Sequence, residues 1–270
     1  LAAHILGGAH IEESSLEKID LEGFSQLRLL AYVKSFLDSF SKTNKWQTNP
    51  QVKKVLIELD QALDLAARLN GLKEQLEGES WETRARSFAE YTVQQLQALP
   101  KGETRLFPGG WKGVGRPGHA MLYSVTKEQD GRFRFEVYNT GAGLSFHPQA
   151  VSDVQTLYGQ RFSLVVDADK LCNPLFWQSY YELCQEPTKK GYSVEAEQVY
   201  RWLDMLEDSF VEKAQISTLS QKDLELRRPQ RAGTCAFESL LAYLKPQLAA
   251  IQIDGLSSVY HECKLGLQLH

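Results

Sequence analysis

Cysteine, methionine and histidine are scarce in this chain, with four, two and six copies among 270 residues. The cysteines, Cys172, Cys184, Cys235 and Cys263, form no CxxC pair and have no histidine at metal-ligand spacing, so neither a zinc site nor any other metal or cofactor is expected. Four thiols are also too few for a disulfide scaffold, which points to a reducing, cytoplasmic-type compartment and leaves a thiol available for chemistry. Long apolar runs are missing, which argues against a membrane-spanning helix. Basic runs are missing too, and a net charge of -4 gives no footprint for nucleic acid. The chain begins with Leu1, so it is expected to be a piece of a longer protein.

What is present divides near residue 100. Before it, apolar residues recur at helical spacing over Leu21 to Phe40, again after the cap-like pair Asn49-Pro50 as far as Leu76, and a third time from Ser80 to Pro100. This predicts an N-terminal helical unit over 1–100, serving as a packed scaffold or as a face that grips a partner protein. Beyond it, Pro108 to Gly118 is a glycine-rich loop without a phosphate-binding pattern. Within that loop Gly109, Gly110, Trp111 and Gly118 are candidate substrate contacts, since glycine lets an extended backbone approach closely.

His119 to Val125 and Phe133 to Val137 alternate as two strands. If Gln129-Asp130-Gly131 forms a three-residue hairpin loop, opposed residue numbers sum to 260, and His119 and Asn139 share a face one diagonal step apart. A two-residue Asp130-Gly131 turn would put them on opposite faces. A third strand covers Arg161 to Val166 and runs into Asp167-Ala168-Asp169, expected to be a turn or helix cap. Asn173-Pro174 opens an aromatic helix with Phe176, Trp177, Tyr180 and Tyr181, expected to lie in the core. Another helix is predicted over Ser193 to Phe210, then an irregular segment over Val211 to Arg228. His147 is either a surface residue or one that supports a site from behind. After Pro246 the chain is expected to be mostly helical, with a break at Gly255.

The small-residue stretch Gln230-Arg231-Ala232-Gly233-Thr234 delivers Cys235 to the first turn of a helix carrying Phe237, Leu240, Leu241 and Leu244. A thiol there is favoured as thiolate by free N–H groups and the helix dipole. Cys235 as nucleophile, His119 as base and Asn139 as orienting group make a thiol-hydrolase set, with Gln230 donating to the oxyanion and Gly233 and Thr234 lining the approach.

The order Gly118-His119-Ala120-Met121-Leu122, Val137-Tyr138-Asn139-Thr140, Gln230 to Cys235 resembles the CE clan of cysteine peptidases, which includes SUMO-specific proteases, the adenovirus endopeptidase and bacterial effector deubiquitinases. Ala120 stands where many members have an aromatic, and Asn139 where Asp is commoner. The resemblance implies an α+β fold, a papain-like core with its central helix against a mostly antiparallel sheet, over 101–270, with a helical insertion about 171–212. It also implies an isopeptidase acting after the C-terminal Gly-Gly of ubiquitin or a ubiquitin-like modifier, in the host cytosol if the chain is a secreted bacterial effector. The alternatives are a CE-type acetyltransferase using the same thiol and a non-catalytic helical interaction protein.

Overall fold

The computed structural model describes residues 23–43, 48–76, 78–111, 118–151, 155–184, 194–219, 226–229, 235–253 and 257–269. Among the described residues the first elements are three helices: α1 (Gly23–Thr43), α2 (Pro50–Gln75) and α3 (Trp81–Gln97). Their starts follow cap chemistry. The Asn49 carboxamide oxygen accepts the Gln51 and Val52 N–H groups, and Ser80 Oγ accepts from Thr83.

The central sheet has the order β1-β2-β3-β6 and is antiparallel throughout. Its strands are β1 (Thr104–Trp111), β2 (His119–Lys127), β3 (Phe133–Tyr138) and β6 (Arg161–Val166). Alternation sends Phe107, Met121, Tyr123, Phe135, Val137 and Phe162 to one face, and Leu106, Leu122 and Tyr138 to the other. Both faces are covered. The first packs against α3, α5 (Pro174–Cys184), α6 (Ala196–Trp202) and α7 (Phe210–Leu219), which supply Phe88, Trp177, Tyr180, Trp202 and Phe210. The second packs against α1, α2, α8 (Cys235–Leu248) and α9 (Val259–Leu269), which supply Leu37, Leu59, Phe237, Leu241, Leu244 and Val259. The result is a mixed α+β fold in which helices from before and after residue 100 share both cores. A second antiparallel sheet joins β4 (Gln149–Val151), β5 (Thr156–Gly159) and β7 (Leu226–Arg227), and a short hairpin pairs β8 (Gln252–Ile253) with β9 (Ser257–Ser258). The short helix α4 (Ala168–Leu171) has Asp167 at its N-cap position, where the backbone rather than the side chain makes the turn. No helix of the described residues is long and apolar enough to cross a membrane.

The β2–β3 hairpin has the three-residue loop. Lys127 faces Phe133 and Leu122 faces Tyr138, Glu128 N–H donates to Arg132 O, and Gly131 sits at φ +92°. The aromatic helix α5 is core as expected, and its polar ends are satisfied: Trp177 Nε1 donates to Leu171 O and Tyr180 donates to Pro108 O.

Two expectations are corrected. Residues 108–111 are not loop but the end of β1, with Gly109 opposite Met121 and Gly110 opposite Ala120. Glycine is needed there for the protein's own packing: a Cβ on Gly109 would sit 2.1 Å from the Tyr123 ring, and one on Gly110 1.9 Å from the His119 carbonyl oxygen. The helix expected to end at Phe210 stops earlier, passing through a 3-10 turn at Leu203–Met205, and Val211 to Leu219 belong to the helix α7 rather than to an irregular segment. Ser209 at φ 53° turns the chain, and Asp204 Oδ1 accepts the Phe210 N–H to start α7. The stretch after Pro246 is mostly helical among the described residues, as expected: α8 runs through Pro246 to Leu248 and α9 follows the β8–β9 hairpin, while the break expected at Gly255 lies outside the described residues.

Gly110→Ala is expected to destabilise the fold by about 3 kcal/mol or more, since φ is +119° and the carbonyl contact is backbone. Gly131→Ala meets open space and costs only the left-handed backbone term, about 1–2 kcal/mol. Urea unfolding of the two variants measures the difference; equal losses would contradict the packing account.

Candidate functional site

The hairpin register decides which side chains meet at the end of the sheet. His119 opens β2 and Asn139 follows the last residue of β3, so with opposed numbers summing to 260 they lie diagonally on one face. His119 Nε2 is 2.7 Å from Asn139 Oδ1. A carboxamide oxygen only accepts, so Nε2 carries the proton and Nδ1 is left with a lone pair. Trp111, directly opposite His119 in the β1–β2 pairing, lays its ring 4.7 Å from the imidazole.

Asn139 is wholly buried and held at both ends of its amide. Oδ1 also accepts the Gly141 N–H at 2.9 Å, while Nδ2 donates to Ala142 O at 2.6 Å and to the Tyr200 hydroxyl at 2.9 Å. That hydroxyl is 2.8 Å from His147 Nε2, and His147 Nδ1 is 2.7 Å from Gly159 O. Gly143, at φ +84°, leaves room for the Tyr200 ring, which a Cβ would approach to 2.8 Å.

Cys235 is the first residue of α8, and its Sγ accepts the backbone N–H of Ala120 at 3.4 Å. The sulfur therefore lies against the residue that follows His119. Burial pushes Cys184 and Cys263 up to about 12 and raises Cys172 as well, holding all three protonated. None of the four cysteines is in a disulfide. Burial also pulls His119 below the ordinary 6.5, partly opposed by its bond to Asn139.

His119, Asn139 and Cys235 are thus brought to one end of the sheet, with Trp111 over the imidazole and the half-buried Gly118 just before it. Gly109 and Gly110 are paired in β1 and meet Tyr123 and the His119 carbonyl. Gln230, Gly233 and Thr234 lie outside the described residues. Of the two alternatives for His147, the surface one is excluded, since the ring is 1% exposed. Tyr200 was not visible in the sequence: its position on an amphipathic helix gives no sign that the hydroxyl reaches Asn139. Among the described residues, no group of three or more His, Cys, Asp or Glu side chains could hold a metal ion. Comparison with family models, curated proteins and solved structures finds no match for the chain.

Burial pulls the His147 ring from 6.5 to about 3. The unfolded chain therefore takes up this proton first, and stability present above pH 6.5 is lost as pH falls toward 3. Between pH 6.5 and 4.5 the His147 share is about 2–3 kcal/mol. Urea unfolding at the two pH values should show a smaller acid loss for His147→Gln than for the wild type; equal losses would refute the buried neutral ring.

Proposed function

We propose that the chain is a thiol hydrolase of CE-type construction, cleaving after the C-terminal glycine of ubiquitin or a ubiquitin-like modifier. In this reading the Cys235 sulfur attacks the glycine carbonyl carbon while His119 Nδ1 takes the thiol proton. The tetrahedral intermediate collapses to a thioester as His119 returns that proton to the leaving lysine amine. Water, activated by the same ring, then releases the glycine carboxylate and restores the thiol. The resemblance assigns the oxyanion to the Gln230 side chain and the Cys235 amide.

The observation that carries the reading is the His119–Asn139 bond. It puts the ring proton on Nε2 and leaves Nδ1 as the base, at the strand end where the Ala120 amide holds the Cys235 sulfur. Helix-terminal placement and N–H donation both favour negative charge developing on that sulfur. The helix α8, lying across an antiparallel sheet with its first residue beside the start of β2, fits a CE-type core. The ubiquitin-like substrate rests on the sequence resemblance. Gly109 and Gly110 shape the wall behind His119, and tail recognition falls to Gly118, Gly233 and Thr234.

Ubiquitin and ubiquitin-like probes with C-terminal electrophiles test this. The expected result is a Cys235 adduct by peptide mapping that disappears in His119→Ala. A folded protein that forms no adduct with any such probe, or forms one at another cysteine, overturns the reading.

Turnover of the labelled substrate should fall about 10–100-fold in Asn139→Ala without vanishing, since thiol and base remain. The acid limb of wild-type kcat/KM should lie below pH 6.5, because burial lowers His119. Unchanged turnover in Asn139→Ala, or an acid limb above 6.5, contradicts these roles.

A further inference from the structure

Behind Asn139 runs a row of polar groups inside an aromatic core. Tyr200 stacks on Phe146 at 4.5 Å, and His147 meets the edge of Phe162 at 4.5 Å. Phenylalanine and leucine would fill this volume without polar atoms to satisfy, and a buried polar group that loses its partner is costly. Donor and acceptor logic gives the row a direction. Gly159 O only accepts, so His147 Nδ1 carries its proton; the neutral ring then accepts at Nε2, and the Tyr200 hydroxyl must donate to it. The Tyr200 oxygen is thereby left to accept from Asn139 Nδ2, and Asn139 Oδ1 faces His119 Nε2–H. Every bond from His119 to Gly159 points the same way.

We propose that Tyr200 and His147 are positioning residues that fix the carboxamide of Asn139 and, through it, which nitrogen of His119 carries the proton. The Gly141 and Ala142 contacts belong to the same turn as Asn139 and move with it, whereas Tyr200 on α6 and His147, bonded to β5, tie the side chain to other elements. The catalytic consequence rests on the hydrolase reading; the tautomer does not.

Long-range 15N–1H correlation spectra of histidine-labelled protein read that tautomer directly. The wild type should show His119 protonated at Nε2. Tyr200→Phe, which keeps the stacked ring, and His147→Leu should both give a mixture of tautomers, and lower kcat about 3–10-fold with KM unchanged. His147→Gln should restore the wild-type tautomer and kcat within about twofold, because an amide can donate to Gly159 O and accept from Tyr200. A wild-type His119 tautomer in folded Tyr200→Phe and His147→Leu overturns the proposal. If the tautomers respond but no substrate turns over, the positioning role stands and the hydrolase reading falls.

Discussion

The contact between His119 and Asn139 exists because a hairpin loop has three residues. With Gln129-Asp130-Gly131 between the strands, the diagonal step across β2 and β3 brings an imidazole to a carboxamide. One residue fewer would turn Asn139 to the opposite face, since side chains alternate along a strand. Gly131 in the left-handed region and the Asp130 side chain, which accepts from Arg132 N–H at 3.0 Å, hold that loop length. The site is therefore specified some distance from where it sits, by turn chemistry at the far end of the sheet.

The two helical layers place the remaining parts. On one face α8 presents its first residue at the edge of the sheet, so that the Cys235 sulfur meets the Ala120 amide. On the other face α6 carries Tyr200 inward to Asn139. An imidazole, a carboxamide and a phenol buried together would destabilise the core if any were left unpaired, each by about 1–3 kcal/mol. Here each is bonded in sequence and the row ends on a backbone carbonyl, so burial makes the arrangement rigid instead of expensive.

Much of this was legible from residues alone where local chemistry decides the structure. The caps at Asn49, Ser80 and Asn173, the aromatic core of α5 and the hairpin register all follow from side chains a few positions apart. The failures have tertiary causes. Pro108-Gly109-Gly110 consists of three residues unfavourable in a strand, yet it is one, with the Tyr123 ring and the His119 carbonyl filling the space where Cβ atoms would be. Over α7, Phe210 and Ala214 are buried and Val211 partly so, while Ile216 is exposed, so the described side chains carry little helical periodicity. The importance of Tyr200 lies in a hydroxyl, and spacing along a helix carries no information about where a hydroxyl points.

The central claim is that His119 and Cys235 act as a pair, and the pH dependence of Cys235 alkylation by iodoacetamide, followed by peptide mapping, tests it without any assumed substrate. In the wild type the rate should rise with a first titration below pH 6.5, and this limb should be missing in His119→Ala. A single rise at the ordinary thiol value, the same in both proteins, would show that the ring and the sulfur do not communicate.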